Sequence, residues 1–217
     1  MVASQLNEVR RRMASAADRV GRDPGEVTLV AVSKTVGPAE IAQAYAAGHR
    51  DFGENRTSEL VAKAAVLPTD IRWHFVGALQ SRKAKEIVPF ASVVHSFDRE
   101  SLLRAWSRAG GDAALLLQLN LAHEVQKHGA DAEKAVEILG LAASLGLTIS
   151  GLMLMPPQVE DPESNRSWFR RLREIRDQLQ PQWPGLRELS MGMTDDFEVA
   201  VEEGATLIRV GRAIFGS

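Results

Sequence analysis

Short apolar segments alternate with amphipathic segments along most of the chain. Eight segments have the length and apolar character of buried strands, and they cover residues 27–33, 49–53, 71–76, 92–97, 114–120, 148–155, 187–191 and 206–210. Seven segments between them have apolar residues at helical spacing, and they cover residues 38–47, 55–65, 82–88, 99–108, 132–145, 163–179 and 195–203. Glycine follows several of these predicted helices, as it commonly follows helices in general: Gly48, Gly110, Gly146 and Gly204.

This alternation predicts an α/β protein with a parallel sheet, because a helix between two consecutive strands returns the chain to the same edge of the sheet. Eight strands separated by seven helices are the count of a (β/α)8 TIM barrel whose last helix is short or missing. A doubly wound open sheet is the alternative, because single-sequence reasoning miscounts short strands.

The first segment of the chain precedes the predicted barrel. Its apolar residues, from Leu6 to Val20, recur every three or four positions. This spacing predicts an extra N-terminal helix over about residues 3–20. The barrel would then cover about residues 27–216, and the whole chain, residues 1–217, would form a single domain.

Two segments could be mistaken for targeting or membrane signals. Glu8 lies where the apolar region of a signal peptide would be, which argues against such a peptide. Residues 138–159 carry no charge and are long enough for a membrane span, but glycines and a proline pair interrupt them. We interpret them as part of a helix over about residues 132–145, a stop at Gly146 and a buried strand over about residues 147–155.

The composition narrows the possible functions further. Hydrophobic residues make up 45% of the 217 residues and charged residues 25%, the balance of a globular protein with a sizeable core. Lys and Arg number 26 against 28 Asp and Glu, so the charge gives no footprint for nucleic acid or an anionic membrane. The absence of cysteine excludes thiolate metal sites and cysteine nucleophiles, and it fits a cytoplasmic location.

The carboxyl ends of the strands are where a TIM barrel places its active site. Lys34 stands there, after an apolar strand that is predicted to be buried on both faces. One interpretation is a lysine that ends a strand and reaches solvent. The other is a lysine at the mouth of an apolar barrel, where desolvation favours a neutral amine that can form a Schiff base with an aldehyde or ketone.

Two glycine-containing loops follow the last two predicted strands. Residues 190–194 contain Gly192, and residues 209–212 contain Gly211. In TIM barrels the loops after strands seven and eight often bind a phosphate through backbone N–H groups, although either glycine could simply allow a tight turn. Together with Lys34, these loops predict a site for an aldehyde that carries a phosphate. Pyridoxal phosphate and phosphorylated sugars both meet that description.

Several motifs occur in one order along nearly the whole chain, from about residue 27 to residue 216. They are AVSKT at 31–35, FGEN at 52–55, WHFVG at 73–77, LQS at 79–81, GLM at 151–153, LSMGMTDD at 189–196 and IRVGRAIFG at 208–216. With these motifs the chain closely resembles the pyridoxal 5′-phosphate (PLP) homeostasis protein family (YggS/PROSC). That family is similar to the barrel domain of alanine racemase without its second domain.

The resemblance implies a role for each matching residue. Lys34 would hold PLP as an internal aldimine, the Schiff base between its amine and the cofactor aldehyde. Asn55 and His74 would line the pocket near the ring, and Arg209 would face the pyridine nitrogen. The phosphate would be held by Ser190 and by backbone N–H groups around the residues of the two loops, namely Gly192, Gly211 and Arg212. Many relatives have a small hydroxyl residue where Arg212 stands, so a side-chain contact to the phosphate is lost here.

The residue at the ring bears on the chemistry to expect. Arginine stays protonated and can only donate, so Arg209 would favour an unprotonated pyridine nitrogen, which is a weaker electron sink than a pyridinium. Racemisation also needs proton donors on both faces of the substrate, and the sole tyrosine, Tyr45, lies in the helix after the first strand. The resemblance therefore implies PLP buffering and delivery to PLP-dependent client enzymes, without established catalysis.

Two alternatives remain open at the level of the sequence. One is a single-domain amino-acid racemase, and the other is a Schiff-base aldolase that acts on a phosphosugar. We expect a monomer, because the chain lacks the second domain through which alanine racemase forms its dimer. His123 and His128 resemble a zinc motif, but a spacing of five residues places them on different faces of a helix, so we expect no metal site. His49 and His95 lie within predicted strands, where a structural role is expected.

Overall fold

In the computed structural model, which describes residues 1–122 and 128–216, eight parallel strands close into a barrel in chain order, with β8 paired to β1. The strands are β1 Thr28–Val32, β2 Asp51–Glu54, β3 Arg72–Phe75, β4 Ala91–Phe97, β5 Ala114–Leu119, β6 Ile149–Leu154, β7 Glu188–Ser190 and β8 Leu207–Val210. The predicted TIM barrel is confirmed, and the open-sheet alternative is wrong. Parallel strands joined by helices close in this way because each crossover places the next strand beside the previous one.

Helices surround the barrel and cover its outer surface. They are α1 Val2–Arg19, α2 Pro38–Ala46, α3 Thr57–Ala64, α4 Ala84–Ile87, α5 Glu100–Ala109, α6 Ala135–Ser144, α7 Arg166–Leu179, α8 Phe197–Glu202 and α9 Arg212–Phe215. The predicted extra N-terminal helix is α1, and α9 is the shortened element after the last strand. The segment predicted as one helix over residues 82–88 begins as a single 3₁₀ turn, Ser81–Lys83, before α4.

The uncharged segment that resembled a membrane span is divided between two elements. Its first half belongs to α6, and its second half is β6, with Gly146 in a left-handed conformation between them. Within the described part of the chain, no helix is both long enough and apolar enough to cross a membrane.

The two faces of each strand pack against different parts of the protein. Residues that point outward, such as Leu29, Phe52 and Leu117, belong to the large core between barrel and helices. Residues that point inward include a small apolar cluster made of Val30, Leu116, Met153 and Leu207. The lumen of a TIM barrel is normally filled by layers of such branched side chains. Here the cluster accounts for part of the lumen only, because polar side chains from β2, β3, β4, β7 and β8 share it.

His49, just before β2, makes the stability of the fold depend on pH. Its ring is buried, donates from Nε2 to the carbonyl of Asp51 (2.8 Å) and accepts at Nδ1 from the guanidinium of Arg10 (3.3 Å). Burial lowers the pKa of His49 to about 4. Because the unfolded chain binds a proton at its ordinary pKa of about 6.5, stability is complete above that pH and is lost as the pH falls toward 4.

We expect this one histidine to make the free energy of unfolding about 2 kcal/mol lower at pH 5 than at pH 7.5. Urea unfolding at a series of pH values measures the change. His49→Gln removes the titrating group, so its curve should be flatter by that amount. Parallel curves for the two proteins would contradict the assignment.

Candidate functional site

A cavity of about 720 Å³ opens at the carboxyl ends of the strands. The inward-pointing residues at or just beyond those ends line it: Lys34, Asn55, Val76, Gln118, Met155, Arg209 and Gly211. Each lies two residues beyond an inward-pointing position of its own strand, as the period of two in a strand requires. The cavity is therefore where the sequence predicted an active site, at the carboxyl face of the barrel.

Lys34 lies at the rim of this cavity, two residues after β1. Its side chain is exposed, and among the described residues it makes no hydrogen bond or ion pair. The sequence left two interpretations of Lys34 open, and the exposed side chain agrees with the one in which the lysine ends a strand and reaches solvent. Thr35, which follows, has φ +63°, a conformation that costs a residue other than glycine of order 1–3 kcal/mol.

A buried ion pair supports the turn that carries Lys34. The amine of Lys63 donates to the Ser33 carbonyl (2.8 Å) and to Glu54 Oε1 (2.7 Å), and the Ser33 hydroxyl donates to the same carboxylate oxygen (2.7 Å). Burial raises the pKa of Glu54, against the hydrogen bonds from Lys63 and Ser33 that lower it. Glu59 also accepts from Lys63 (3.3 Å) and from the backbone N–H of Thr35 (3.1 Å). These contacts hold the strained turn at Lys34 in one conformation.

The loops after β7 and β8 present unused backbone donors. Among the residues that the structure describes, none accepts from the N–H groups of Gly192, Thr194, Gly211 or Arg212. Gly192 has φ +89°, and a Cβ there would lie 2.5 Å from the Cβ of Ala200, so a side chain is excluded. Such N–H groups on close-packed loops are the usual means of binding a phosphate.

The side chain of Arg212 is turned to the protein surface. Its guanidinium forms an ion pair with Asp195, and both side chains are exposed. This pairing answers the question that the sequence raised about the missing hydroxyl: the guanidinium contacts a carboxylate of the neighbouring loop. The backbone N–H of Arg212, like that of Gly211, has no acceptor among the described residues.

Two of the predicted site residues lie below the cavity. His74 is in the barrel lumen, where its ring nitrogens face His95 (3.0 Å) and Asp51 (3.2 Å), and it is absent from the cavity wall. Ser190 is also fully buried behind the wall, with its hydroxyl between His95 (2.8 Å) and Arg209 (2.5 Å). The inward residue just beyond β3 that lines the cavity is Val76, and His74 lies one inward position below it. The Ser190 hydroxyl contacts His95 and Arg209, whereas the sequence analysis expected it to contact a phosphate.

Arg209 joins the lumen to the cavity. Its guanidinium donates to Ser190 Oγ (2.5 Å) and to the Leu154 carbonyl (2.9 Å), and the residue forms part of the cavity wall. Burial lowers the pKa of Arg209 to about 10, so the group stays charged at neutral pH. A buried cation of fixed orientation is thus available to a ligand in the cavity.

Some residues of the wall were missed by the sequence analysis. Asn165 and Asp196 are buried, and the amide of Asn165 donates to Asp196 (2.8 Å). The other carboxylate oxygen of Asp196 accepts from the backbone N–H of Met193 (2.7 Å), which fixes the loop after β7. Asp196 immediately precedes α8, and its carboxylate is turned into this loop. The zinc-like motif falls largely on residues 123–127, which lie outside the described residues.

Known proteins resemble this chain over its full length. No protein-family model matches it. The pyridoxal phosphate homeostasis protein of Aquifex aeolicus is 39% identical over 219 residues, which cover 98% of this chain and 96% of the relative. The protein of that name in Escherichia coli is 35% identical over 228 residues, with coverages of 100% and 96%. The chain belongs to the pyridoxal phosphate homeostasis protein family.

Solved structures agree with this assignment. PipY of Synechococcus elongatus with PLP bound is 38% identical, covers 100% of both chains and superimposes with a TM-score of 0.86. A lysine/ornithine decarboxylase from Vibrio vulnificus superimposes with a TM-score of 0.74 at 19% identity, over 98% of this chain and 61% of its own. At that identity the decarboxylase shows a shared barrel fold alone.

Proposed function

We propose that this protein binds PLP as a Schiff base on Lys34 and acts in PLP homeostasis, as a buffer and donor of the cofactor and without catalytic turnover of its own. The observation that carries the proposal is the placement of one unpaired amine and two loops of free backbone N–H groups around the same cavity. PLP has an aldehyde and a phosphate-bearing methylene group on adjacent carbons of one ring, with the pyridine nitrogen opposite the aldehyde, so the cavity offers a partner to each of its groups. The PLP-bound PipY structure supports the same reading.

The residues present fit each part of the cofactor. The N–H groups of Gly192, Thr194, Gly211 and Arg212 would hold the phosphate. Arg209 would donate to the pyridine nitrogen, and the side-chain amide oxygen of Asn55, a buried acceptor without a partner among the described residues, would accept a hydrogen bond from a ring substituent. When bound, PLP supplies an aldehyde and an electron-withdrawing ring. Lys34 would supply the amine that adds to the aldehyde carbon, with release of water.

Delivery of PLP to client enzymes is part of the proposal, and the position of Lys34 favours it. The amine is exposed at the rim, so a competing amine or water can reach the Schiff base. Enzymes that keep PLP for turnover close the site against water, whereas a carrier needs release.

The proposal of no turnover rests on the proton donors at the cavity. A racemase needs a second donor opposite the lysine. Tyr45 lies near the end of α2, where its hydroxyl donates to Asp70 (2.7 Å) and Arg50 stacks on its ring, away from the described cavity wall. It therefore has no access to a ligand held at Lys34.

Absorbance spectroscopy of the purified chain with added PLP tests the proposal. We expect a Schiff-base band that sodium borohydride removes, because reduction converts the C=N bond into a stable secondary amine. Lys34→Ala should lack the band and should bind PLP at least tenfold more weakly. Lys83→Ala, which removes a lysine of the Ser81–Lys83 turn, is the matched control and should behave as the natural sequence does.

The same samples separate the alternatives. Interconversion of alanine enantiomers well above the rate with free PLP would favour a racemase over a carrier. A chain that shows no band with excess PLP, and that borohydride traps only with a phosphosugar, would be an aldolase.

A further inference from the structure

A continuous chain of polar side chains crosses the lumen of the barrel. It starts at Asp51, at the beginning of β2, and passes through His74 on β3 and His95 on β4 to Ser190 on β7 and Arg209 on β8. The successive distances are 3.2 Å from Asp51 Oδ1 to His74 Nε2, 3.0 Å from His74 Nδ1 to His95 Nε2, and 2.8 Å from His95 Nδ1 to Ser190 Oγ. The final contact, from Arg209 Nη1 to Ser190 Oγ, is 2.5 Å. All five side chains are buried.

The two ends of this chain determine the direction of every hydrogen bond in it. Arg209 can only donate, and the ionised Asp51 can only accept. Burial opposes the charge of Asp51, but hydrogen bonds from His74 and Arg72 outweigh it and lower the pKa of Asp51 to about 2. The carboxylate is therefore ionised at neutral pH, and His74 must carry its hydrogen on Nε2.

The remaining hydrogens follow from the Arg209 end. Arg209 donates to the Ser190 oxygen, so the Ser190 hydrogen needs an acceptor, and among the described residues His95 Nδ1 is the acceptor within reach. His95 then carries its own hydrogen on Nε2 and donates it to His74 Nδ1. In the opposite direction, the lone pair of His74 would face the Asp51 carboxylate, and the Ser190 hydrogen would find no acceptor among the described residues. Burial, together with the nearby Arg209 charge, lowers the pKa of His95 well below its usual range, which keeps that ring neutral.

We propose that His74 and His95 are positioning residues for Arg209: the chain from Asp51 turns the lone pair of Ser190 toward the guanidinium and so fixes Arg209 at the cofactor cavity. A consequence is that the Ser190 hydroxyl already donates its hydrogen to His95 Nδ1. It therefore offers no donor to a phosphate, which leaves that task to the backbone N–H groups of the two loops. The inference rests on the proposed function in one respect only, that the Arg209 guanidinium contacts the PLP ring.

Nitrogen-15 NMR of the whole protein, recorded without PLP at neutral pH, tests the direction of these hydrogen bonds. Long-range ¹H–¹⁵N correlations distinguish a ring nitrogen that carries a hydrogen from one that does not. We expect His74 and His95 each to carry a hydrogen on Nε2 and none on Nδ1. A hydrogen on Nδ1 of His95 would overturn the proposal. Because no cofactor is present, this result is independent of whether the protein binds PLP.

Asp51→Asn tests whether the direction matters at the cavity. The amide can donate or accept, so it no longer fixes the hydrogen of His74. We expect His95, the second side chain after Asp51 in the hydrogen-bonded series, to show a mixture of both tautomers. We also expect the Kd for PLP to rise about tenfold, which is the loss expected for one hydrogen bond to a charged group. His49→Gln is the matched control, since it removes a buried histidine that lies beside Asp51 but takes no part in the series of hydrogen bonds from Asp51 to Arg209.

The control should leave the His95 tautomer and the Kd for PLP unchanged within about twofold, which is below the loss of a single hydrogen bond. An Asp51→Asn protein that folds, keeps His95 in the Nε2–H form and binds PLP normally would refute the positioning role. A variant that fails to fold leaves the wild-type tautomers as the deciding measurement. A weakened Kd with unchanged tautomers would also count against the proposal, because it would indicate a purely structural loss.

Discussion

Lys63→Met is expected to lower the free energy of unfolding by about 3–5 kcal/mol, the usual cost of removing one partner of a buried ion pair. The Lys63 amine is nearly buried and holds Glu54, which is fully buried, at 2.7 Å. Without the amine, the Glu54 carboxylate keeps only the Ser33 hydroxyl as a donor. The Ser33 carbonyl beside Lys34 also loses its contact with the amine.

Urea unfolding at pH 7 measures this loss, and the pH dependence gives it a second check. Burial already raises the pKa of Glu54, and loss of the cation raises it further. A carboxyl with a raised pKa binds its proton more readily in the folded state, so the deficit of Lys63→Met should shrink as the pH is lowered. Glu54→Gln combined with Lys63→Met should recover part of the stability.

An exposed pair provides the control for Lys63→Met. Arg104 and Glu100 are four residues apart on α5, and both side chains are largely exposed. Arg104→Met should change the free energy of unfolding by less than about 1 kcal/mol. A Lys63→Met protein that loses no more than this control would contradict the assigned role of the buried pair.

Gly192→Ala is expected to destabilise the fold by about 2–5 kcal/mol and to weaken PLP binding in parallel. Two costs combine: the left-handed backbone at φ +89°, and a Cβ that would lie 2.5 Å from Ala200 and 3.0 Å from the Cα of Phe197. To relieve the clash, the loop after β7 must move relative to α8. The N–H groups proposed for the phosphate move with it.

Gly146→Ala separates the two costs. Gly146 also has a left-handed backbone, φ +71°, but a Cβ there would meet no atom within 4 Å. Its substitution should cost about 1 kcal/mol in unfolding free energy and should not affect PLP binding. Equal losses at Gly146 and Gly192, measured by urea unfolding and PLP titration, would show that close packing at Gly192 is unimportant.

The sequence predicted the barrel because its periodic signals were local. Each strand and helix carried its own pattern, and the barrel with α1 before it follows from their order. The same period of two could also have corrected the site. Counting inward positions along β3 from His74 leads to Val76 at the mouth, and along β5 from Leu116 to Gln118, two wall residues that the sequence analysis did not name.

Contacts between distant strands could not be read in this way. Ser190 and Arg209 are adjacent across β7 and β8, and His95 reaches Ser190 from β4 on the other side of the lumen. The pairing of Arg212 with Asp195 likewise depends on how two loops approach each other. In our proposal these contacts make Ser190 a support for Arg209, and no pattern within a single strand carries that information.

The location of the bound cofactor tests the account most directly. The chain is incubated with PLP, reduced with borohydride, digested and analysed by mass spectrometry. The account predicts one pyridoxyl group per chain, on the peptide that contains Lys34, with the other lysines unmodified. A group on another lysine at comparable yield, or a chain that stays unmodified in excess PLP, would contradict it.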